Sequence, residues 1–366
     1  MLSISRMRKV FIVFGWVALA QCGVWADEQS PEPGGQKRIA HQSDGRDFHG
    51  RTFANEEGMP TTFAEADLGK TSFQHVATWS SFRGARLREA VLTESSFVGV
   101  DFRDANLEMA RFVGCVLPAA RLLGANCRQI TFRDCRDICG ADFSDGNLEM
   151  ARFINCSLPA ARFVGAKCVA INFQNCSDVC GADFNDADLR MARFVNCRLP
   201  AASFSGADCR RIHFVNCSDI CGADFSDANL ELARFVNSEL PAARFTGAKC
   251  KQSSFNNCSA TSGADFSDAD LELATFTNCR LQYARFAYAS FRATTFKNCD
   301  LASVDFRDVV FTDCSLINPD LRGADLRGAV FGKSLQGGQF DSKTLYDEAT
   351  QFPPGFDPVA KGLTLR

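Results

Sequence analysis

The chain has 366 residues, 46% of them hydrophobic and 23% charged, with 40 Lys and Arg against 43 Asp and Glu. That apolar fraction excludes a mostly disordered chain, and the near balance of charge gives no long-range field of one sign to draw in nucleic acid. Eighteen cysteines and 34 phenylalanines against four histidines already point away from ordinary acid–base chemistry.

Residues 1–26 read as an export signal. Arg6, Arg8 and Lys9 precede an apolar stretch from Val10 to Ala20, and Val24-Trp25-Ala26 precedes Asp27. The apolar stretch is too short to span a bilayer and ends on residues that suit a signal peptidase, so cleavage is expected after Ala26. Lipidation at Cys22 is disfavoured by Gln21, which stands where lipoprotein signals resemble one another in having a small residue. The mature chain is then expected outside the cytoplasm, in the periplasm, at the cell surface or in the medium.

Residues 27–47 carry few apolar side chains and two close prolines, Pro31 and Pro33, and are expected to form a disordered linker. From Phe48 the pattern changes. A bulky apolar residue returns every fifth position, as in Phe97, Phe102, Leu107, Phe112, Leu117 and Leu122. Five matches neither the helical nor the strand period.

A longer period of 41 overlies the first: Ala141–Gly181 recurs as Ala182–Gly222 and more loosely from Ala223. The residue beyond eight fives falls between Phe132 and Ile138, Phe173 and Val179, and Phe214 and Ile220. Cys115, Cys135, Cys156, Cys176, Cys197 and Cys217 lie alternately 20 and 21 apart, and Cys258, Cys279 and Cys299 resume the series after Ser238. One turn therefore contains four fives, and four bulky residues per turn point into a square coil.

The units A-D-F-S-D, A-N-L-E-L, A-R-F-V-N and A-D-L-R-G resemble those of the pentapeptide-repeat family, from Phe48 to Phe331. The resemblance implies an all-β, right-handed quadrilateral parallel β-helix, a solenoid of about 14 coils of 20–21 residues spanning 48–334. Residues 335–366, with Thr344 to Pro358 similar to the tail that follows such repeats, are expected to cap it.

Two phenylalanine columns then fill the bore. The cysteine ladder of Cys115, Cys135, Cys156, Cys176, Cys197, Cys217, Cys258, Cys279 and Cys299 reads as small hydrophobes packed in the core. The competing reading is a cysteine-rich redox or metal-binding column. Cys139, Cys180 and Cys221 follow inward residues and are expected to face outward, about 10 Å apart, too far for a mutual disulfide. Local bridges from Cys135 to Cys139 and from Cys176 to Cys180 are conceivable.

Outside, Asp142, Arg162, Asp183, Asp224, Arg244, Asp265 and Arg285 alternate in sign from coil to coil, broken by Ser203 between Asp183 and Asp224, a strip of cross-coil ion pairs or a mixed-charge recognition surface. Some pentapeptide-repeat proteins mimic DNA and protect gyrase with a strongly acidic surface. Here arginines interrupt the acidic column, and an export signal would separate the chain from gyrase.

No Ser/His/Asp or Cys/His constellation is evident. His75 to Ser81, where Phe73 to Phe82 spans nine residues, is the best candidate for a bulge or binding spot. The expected function is a non-enzymatic protein-interaction or structural scaffold with an unknown protein partner. No cofactor, catalytic residue or metal ligand, nucleic acid or membrane span is expected, and an end-to-end homodimer is possible on geometric grounds.

Overall fold

The computed structural model describes residues 43–55, 61–332 and 335–366. The proposed signal segment and most of the proposed linker lie outside the described residues. The chain divides into two compact units: Met1–Lys167 with Cys176–Asp183, and Cys168–Asn175 with Phe184–Arg366. No helix occurs among the described residues, and every strand pairing among them is parallel.

In the first unit, three-residue strands at Thr52–Ala54, Ser72–Gln74, Val91–Thr93, Arg111–Val113, Thr131–Arg133 and Arg152–Ile154 stack one per turn. Their central residues align as Phe53, Phe73, Leu92, Phe112, Phe132 and Phe153. The other sides pair through single bridges such as Asn106↔Asn126 and Asn126↔Asn147.

The corners follow from the five-residue period. Leu107 O accepts from Ala110 N at 3.0 Å, with Met109 left-handed at φ 59°, the geometry of a type II turn. The first and third residues of each five flank the residue that pairs with the next coil, so one small and one bulky side chain point inward. Ala105 and Leu107, and Ala110 and Phe112, are all fully buried. The extra residue of the 41-residue period is absorbed at the corner before Ile138, where Leu117 N donates to Asp137 O across a 20-residue step and Ile138 N donates to Ser157 O across a 19-residue one.

The second unit repeats the arrangement. Phe194, Phe214, Phe235, Phe255, Phe276 and Phe296 form one in-register column. Phe204, Phe225, Phe245, Phe266 and Phe286 form another. Within a column the rings stack, Phe235 on Phe255 at 4.8 Å and 2°. Between columns they meet edge to face, Phe225 against Phe235 at 5.8 Å and 88°. Both geometries suit the aromatic quadrupole, and each buried ring contributes roughly 1.5–3 kcal/mol before ordering costs.

Among the described residues the Phe-side strands number 15, one more turn than the repeat spacing suggests, because pairing reaches beyond both expected boundaries. At the start, Gly45 N donates to Ala64 O and Thr62 Oγ1 to Asp44 Oδ1, so residues 43–47 belong to the first turn rather than to a linker. At the end, Leu326 N donates to Leu345 O and Phe331 N to Gln351 O. Asp341 and Asp347 close the last corners, their Oδ1 atoms accepting from the backbone of Gly323 and Gly328. Phe352 covers Phe331 at 5.7 Å and is itself covered by Phe356 at 4.7 Å.

Candidate functional site

The strip residues lie in register within each unit: Asp142↔Arg162↔Asp183 in the first, Asp224↔Arg244↔Asp265↔Arg285 in the second. Cross-coil ion pairing is sparser than the alternation suggests. Arg244 reaches Asp224 at 3.6 Å and Arg285 reaches Asp265 at 4.0 Å, both exposed and worth a fraction of a kcal/mol.

The aspartates are committed mainly to their own turns. Asp142 Oδ1 accepts from Ser144 N, and Asp224 and Asp265 accept from both N and Oγ of Ser226 and Ser267. Where arginine stands two residues on, the pair is bidentate. Asp101 takes Arg103 at 2.6 Å rather than Arg121 in the next coil. This Asx-turn geometry explains why aspartate recurs before Phe102, Phe143, Phe184, Phe225 and Phe266.

The ladder cysteines are buried along one corner. Each thiol donates to the carbonyl of the Phe-side residue one turn back: Cys156 Sγ to Phe132 O at 3.5 Å, Cys217 Sγ to Phe194 O at 3.4 Å, Cys279 Sγ to Phe255 O at 3.3 Å. Ser238 replaces one member with the same bonds, to Phe214 O and Val236 O. Burial pushes the thiol of Cys115 up to about 11 and those of Cys127 and Cys217 up to about 12, away from the thiolate that redox and metal chemistry need. Among the described residues no group of three His, Cys, Asp or Glu is arranged to hold a metal.

The cysteines expected to face outward are not equivalent. Cys221 is exposed and Cys180 half-buried, but Cys139 is only 5% exposed and so departs from that expectation. They occupy a column that alternates with Pro118, Pro159, Pro200 and Pro241, and the carbonyls of Pro118, Pro159 and Pro241 accept from Gly99, Gly140 and Gly222 one turn away. Cys135 is a thiol, so the local bridge to Cys139 is not made, and Cys176 and Cys180 are likewise reduced.

The irregular stretch at His75–Ser81 is a corner closed by side chains. Ser80 N donates to Thr78 Oγ1 at 3.0 Å, the two hydroxyls pair while buried, and Trp79 stands 74% exposed. His75 contacts Glu94 at 3.3 Å on the surface. His213 is half-buried, and burial followed by Arg234 and Arg193 lowers its pKa, which favours the neutral ring.

One coil departs from the repeat in a way the inward pattern does not reveal. Tyr283 and Tyr288 occupy left-handed corners, each at φ 59°, where the neighbouring turns have Gly263 and Ser303, and Asp268 and Asp308. The next side turns from a single bridge into a short strand, Phe291–Arg292 pairing with Phe311–Thr312. A groove of about 460 Å³ lies beside it, lined by Tyr288, Ser290, Arg292, Asp308, Val310 and Thr312. The available sequence signal is the identity of the corner residue read down its column: tyrosine at 288 where the other turns from Gly84 to Gly328 have glycine or aspartate.

A coil of four five-residue sides, each presenting one small and one bulky residue inward, defines an all-β parallel solenoid. The chain belongs to the pentapeptide-repeat family. A family model described as a pentapeptide repeat region matches residues 248–326, and one of pentapeptide repeats in eight copies matches 80–118, 182–218 and 221–259.

Among solved structures, the chain is similar to HetL of the cyanobacterium Nostoc, a pentapeptide repeat protein involved in heterocyst differentiation regulation. Identity is 21% over 69% of this chain and 90% of that one, with a TM-score of 0.18. Full-length QnrB1, a plasmid-mediated fluoroquinolone resistance protein, is 20% identical over 68% and 94%, with a TM-score of 0.24. A pentapeptide repeat protein of the Arabidopsis thaliana thylakoid lumen is 24% identical over 43% and 77%, with a TM-score of 0.16. No curated protein matches the chain.

Proposed function

We propose that this chain is an exported, non-enzymatic pentapeptide-repeat solenoid that serves as a rigid protein-interaction or structural scaffold. One observation carries the reading. The inward side chains are committed to packing and the recurrent aspartates to their own turns, so recognition falls to the flanks and corners. The mixed-sign strip supports binding to a partner with alternating charge over mimicry of DNA, which calls for a continuous run of one sign. Raised thiol pKa values argue against a cysteine-based redox or metal role.

Fractionation of the producing cells tests export: the mature chain is expected outside the cytoplasm, beginning at Asp27. Crosslinking in intact cells then tests the scaffold role, with a discrete protein adduct expected from the strip face. A cytoplasmic, unprocessed chain would overturn the first part. Adducts that survive reversal of Asp224 and Arg244 together would overturn the assignment of the strip.

A further inference from the structure

Two of the chain's three tyrosines, Tyr283 and Tyr288, stand on adjacent corners of one coil, 65% and 71% exposed. Both are left-handed, the ordinary corner conformation of the repeat that Met191 and Leu232 adopt in another column, and their exposed rings gain little from packing. The column of Tyr288 makes the departure sharper. At Gly206 and Gly247 in the same column, the place of a Cβ is taken by the carboxylates of Asp186 and Asp227, each with an oxygen 2.6 Å away. By that alternation Asp268 should be followed by glycine, and it is followed by Tyr288. Such local conflict with an otherwise consistent repeat is where function is expected.

The adjoining groove limits the ligand. Its volume of about 460 Å³ suits a small ring system. Phe291 and Phe311 beneath it are 3% and 2% exposed, so the floor is closed and no aliphatic anchor enters. The polar lining combines one guanidinium, Arg292, one carboxylate, Asp308, and the hydroxyls of Ser290 and Thr312. Donors and acceptors are thus both present, with no net charge to select an acidic or basic ligand.

We propose that this coil binds a neutral polyhydroxylated ligand with flat apolar faces, a pyranose glycan. A sugar ring stacks on Tyr288, and a second on Tyr283 where the chain is long enough. Ligand hydroxyls donate to Asp308 and accept from Arg292, while Thr312 does either. The groove beside Tyr288 lies on the side that follows the charged strip, whose Arg285 stands between the two tyrosines, and the proposal does not depend on the scaffold role.

The test uses the full mature chain, titrated calorimetrically with neutral hexasaccharides: β-1,4-glucan, β-1,3-glucan, α-1,4-glucan and β-1,4-linked N-acetylglucosamine. Saturable binding of at least one in the millimolar range or tighter is expected, weakened roughly tenfold by Tyr288→Ala and less by Tyr283→Ala. Tyr288→Gly is expected to melt at a higher temperature than the parent while losing the same affinity, so loss of binding cannot be ascribed to misfolding. Absence of saturable binding to all four sugars, binding indifferent to both tyrosines, or a polypeptide as the only occupant of Tyr288 would each overturn the proposal.

Discussion

The carboxylate of Asp186 occupies the space that a side chain on Gly206 would need, with Oδ1 2.6 Å from the position of a Cβ on that glycine. The two residues sit one turn apart on the same corner, and Gly206 is left-handed at φ 67°. Gly206→Ala therefore meets both backbone strain and a clash, and is expected to cost about 2–3 kcal/mol. Gly263→Ala, at φ 69° with open space around it, meets only the strain and is expected to cost about 1 kcal/mol. Urea denaturation of the two variants checks the difference. Adding Asp186→Ala to Gly206→Ala should recover part of the loss, a coupling absent at Gly263.

Asparagine at the corner after the Phe-side strands from Arg152–Ile154 to Ser315–Ile317 does two things at once. It tolerates the left-handed backbone, as Asn237 does at φ 50°, and its amide continues a ladder. Asn237 Nδ2 donates to Asn216 Oδ1 at 3.1 Å and Asn257 Nδ2 to Asn237 Oδ1 at 3.2 Å. Asn237→Gly keeps the conformation and removes the ladder bonds, so its cost, about 0.5–1.5 kcal/mol, isolates the ladder. Asn237→Ala adds strain and should cost more. Equal stability of Asn237→Gly and the parent would mean that the amides contribute nothing.

Two classes of buried cysteine should respond differently to serine. Cys258 donates to Phe235 O as Ser238 does to Phe214 O, so Cys258→Ser is expected to change stability by less than about 1 kcal/mol. Cys250 is fully buried in the alternating leucine–cysteine column, and among the described residues no acceptor faces its sulfur. Cys250→Ser should cost about 1–3 kcal/mol. Denaturant titration of the pair separates the two environments. Thiol labelling of the folded chain should reach Cys221 and spare Cys217.

Much of this was legible in the sequence because inward positions are dictated by volume and repetition. The phenylalanine columns, the alternation of 20- and 21-residue steps and the core placement of Cys217 and its neighbours all follow from counting by fives. Positions decided by hydrogen bonding were harder to read. The alternation of Asp142 with Arg162 suggests ion pairs between coils, whereas the aspartate carboxylate first satisfies the backbone two residues on. The asparagine before the ladder cysteines from Cys156 onward is visible in the sequence, but its role emerges only from the stacking of Asn196, Asn216 and Asn237. The ends reach beyond the repeat spacing because side chains next to the bulky positions close them, Asp44 accepting from Ala64 N, Asp341 from Gly323 N and Asp347 from Gly328 N.

Stability should fall at both extremes of pH. At the alkaline end, burial lifts the thiols of Cys115, Cys127 and Cys217 from 9.0 to about 11, 12 and 12. The folded chain retains protons that the unfolded chain releases, so stability declines as pH rises from about 9 towards 12, by up to about 1.4 kcal/mol per pH unit for each thiol. At the acid end, hydrogen bonds from Arg103, Arg210 and Arg322 hold Asp101, Asp208 and Asp320 below 3.8. Their stabilisation is complete above the unfolded value and is lost as pH falls through the folded one. Urea midpoints measured across the range check both limbs. A midpoint that stays flat above pH about 9 would contradict the burial of the thiols.

The central claim is that five-residue counting assigns each side chain either to a filled bore or to the flank. Paired truncations of neighbours in one strand test it most directly: Phe235, fully buried, and Arg234, exposed beside it. Phe235→Ala is expected to destabilise the chain by about 3–5 kcal/mol and Arg234→Ala by no more than about 0.5 kcal/mol. Comparable small losses from both would mean that the phenylalanine column is not packed as described.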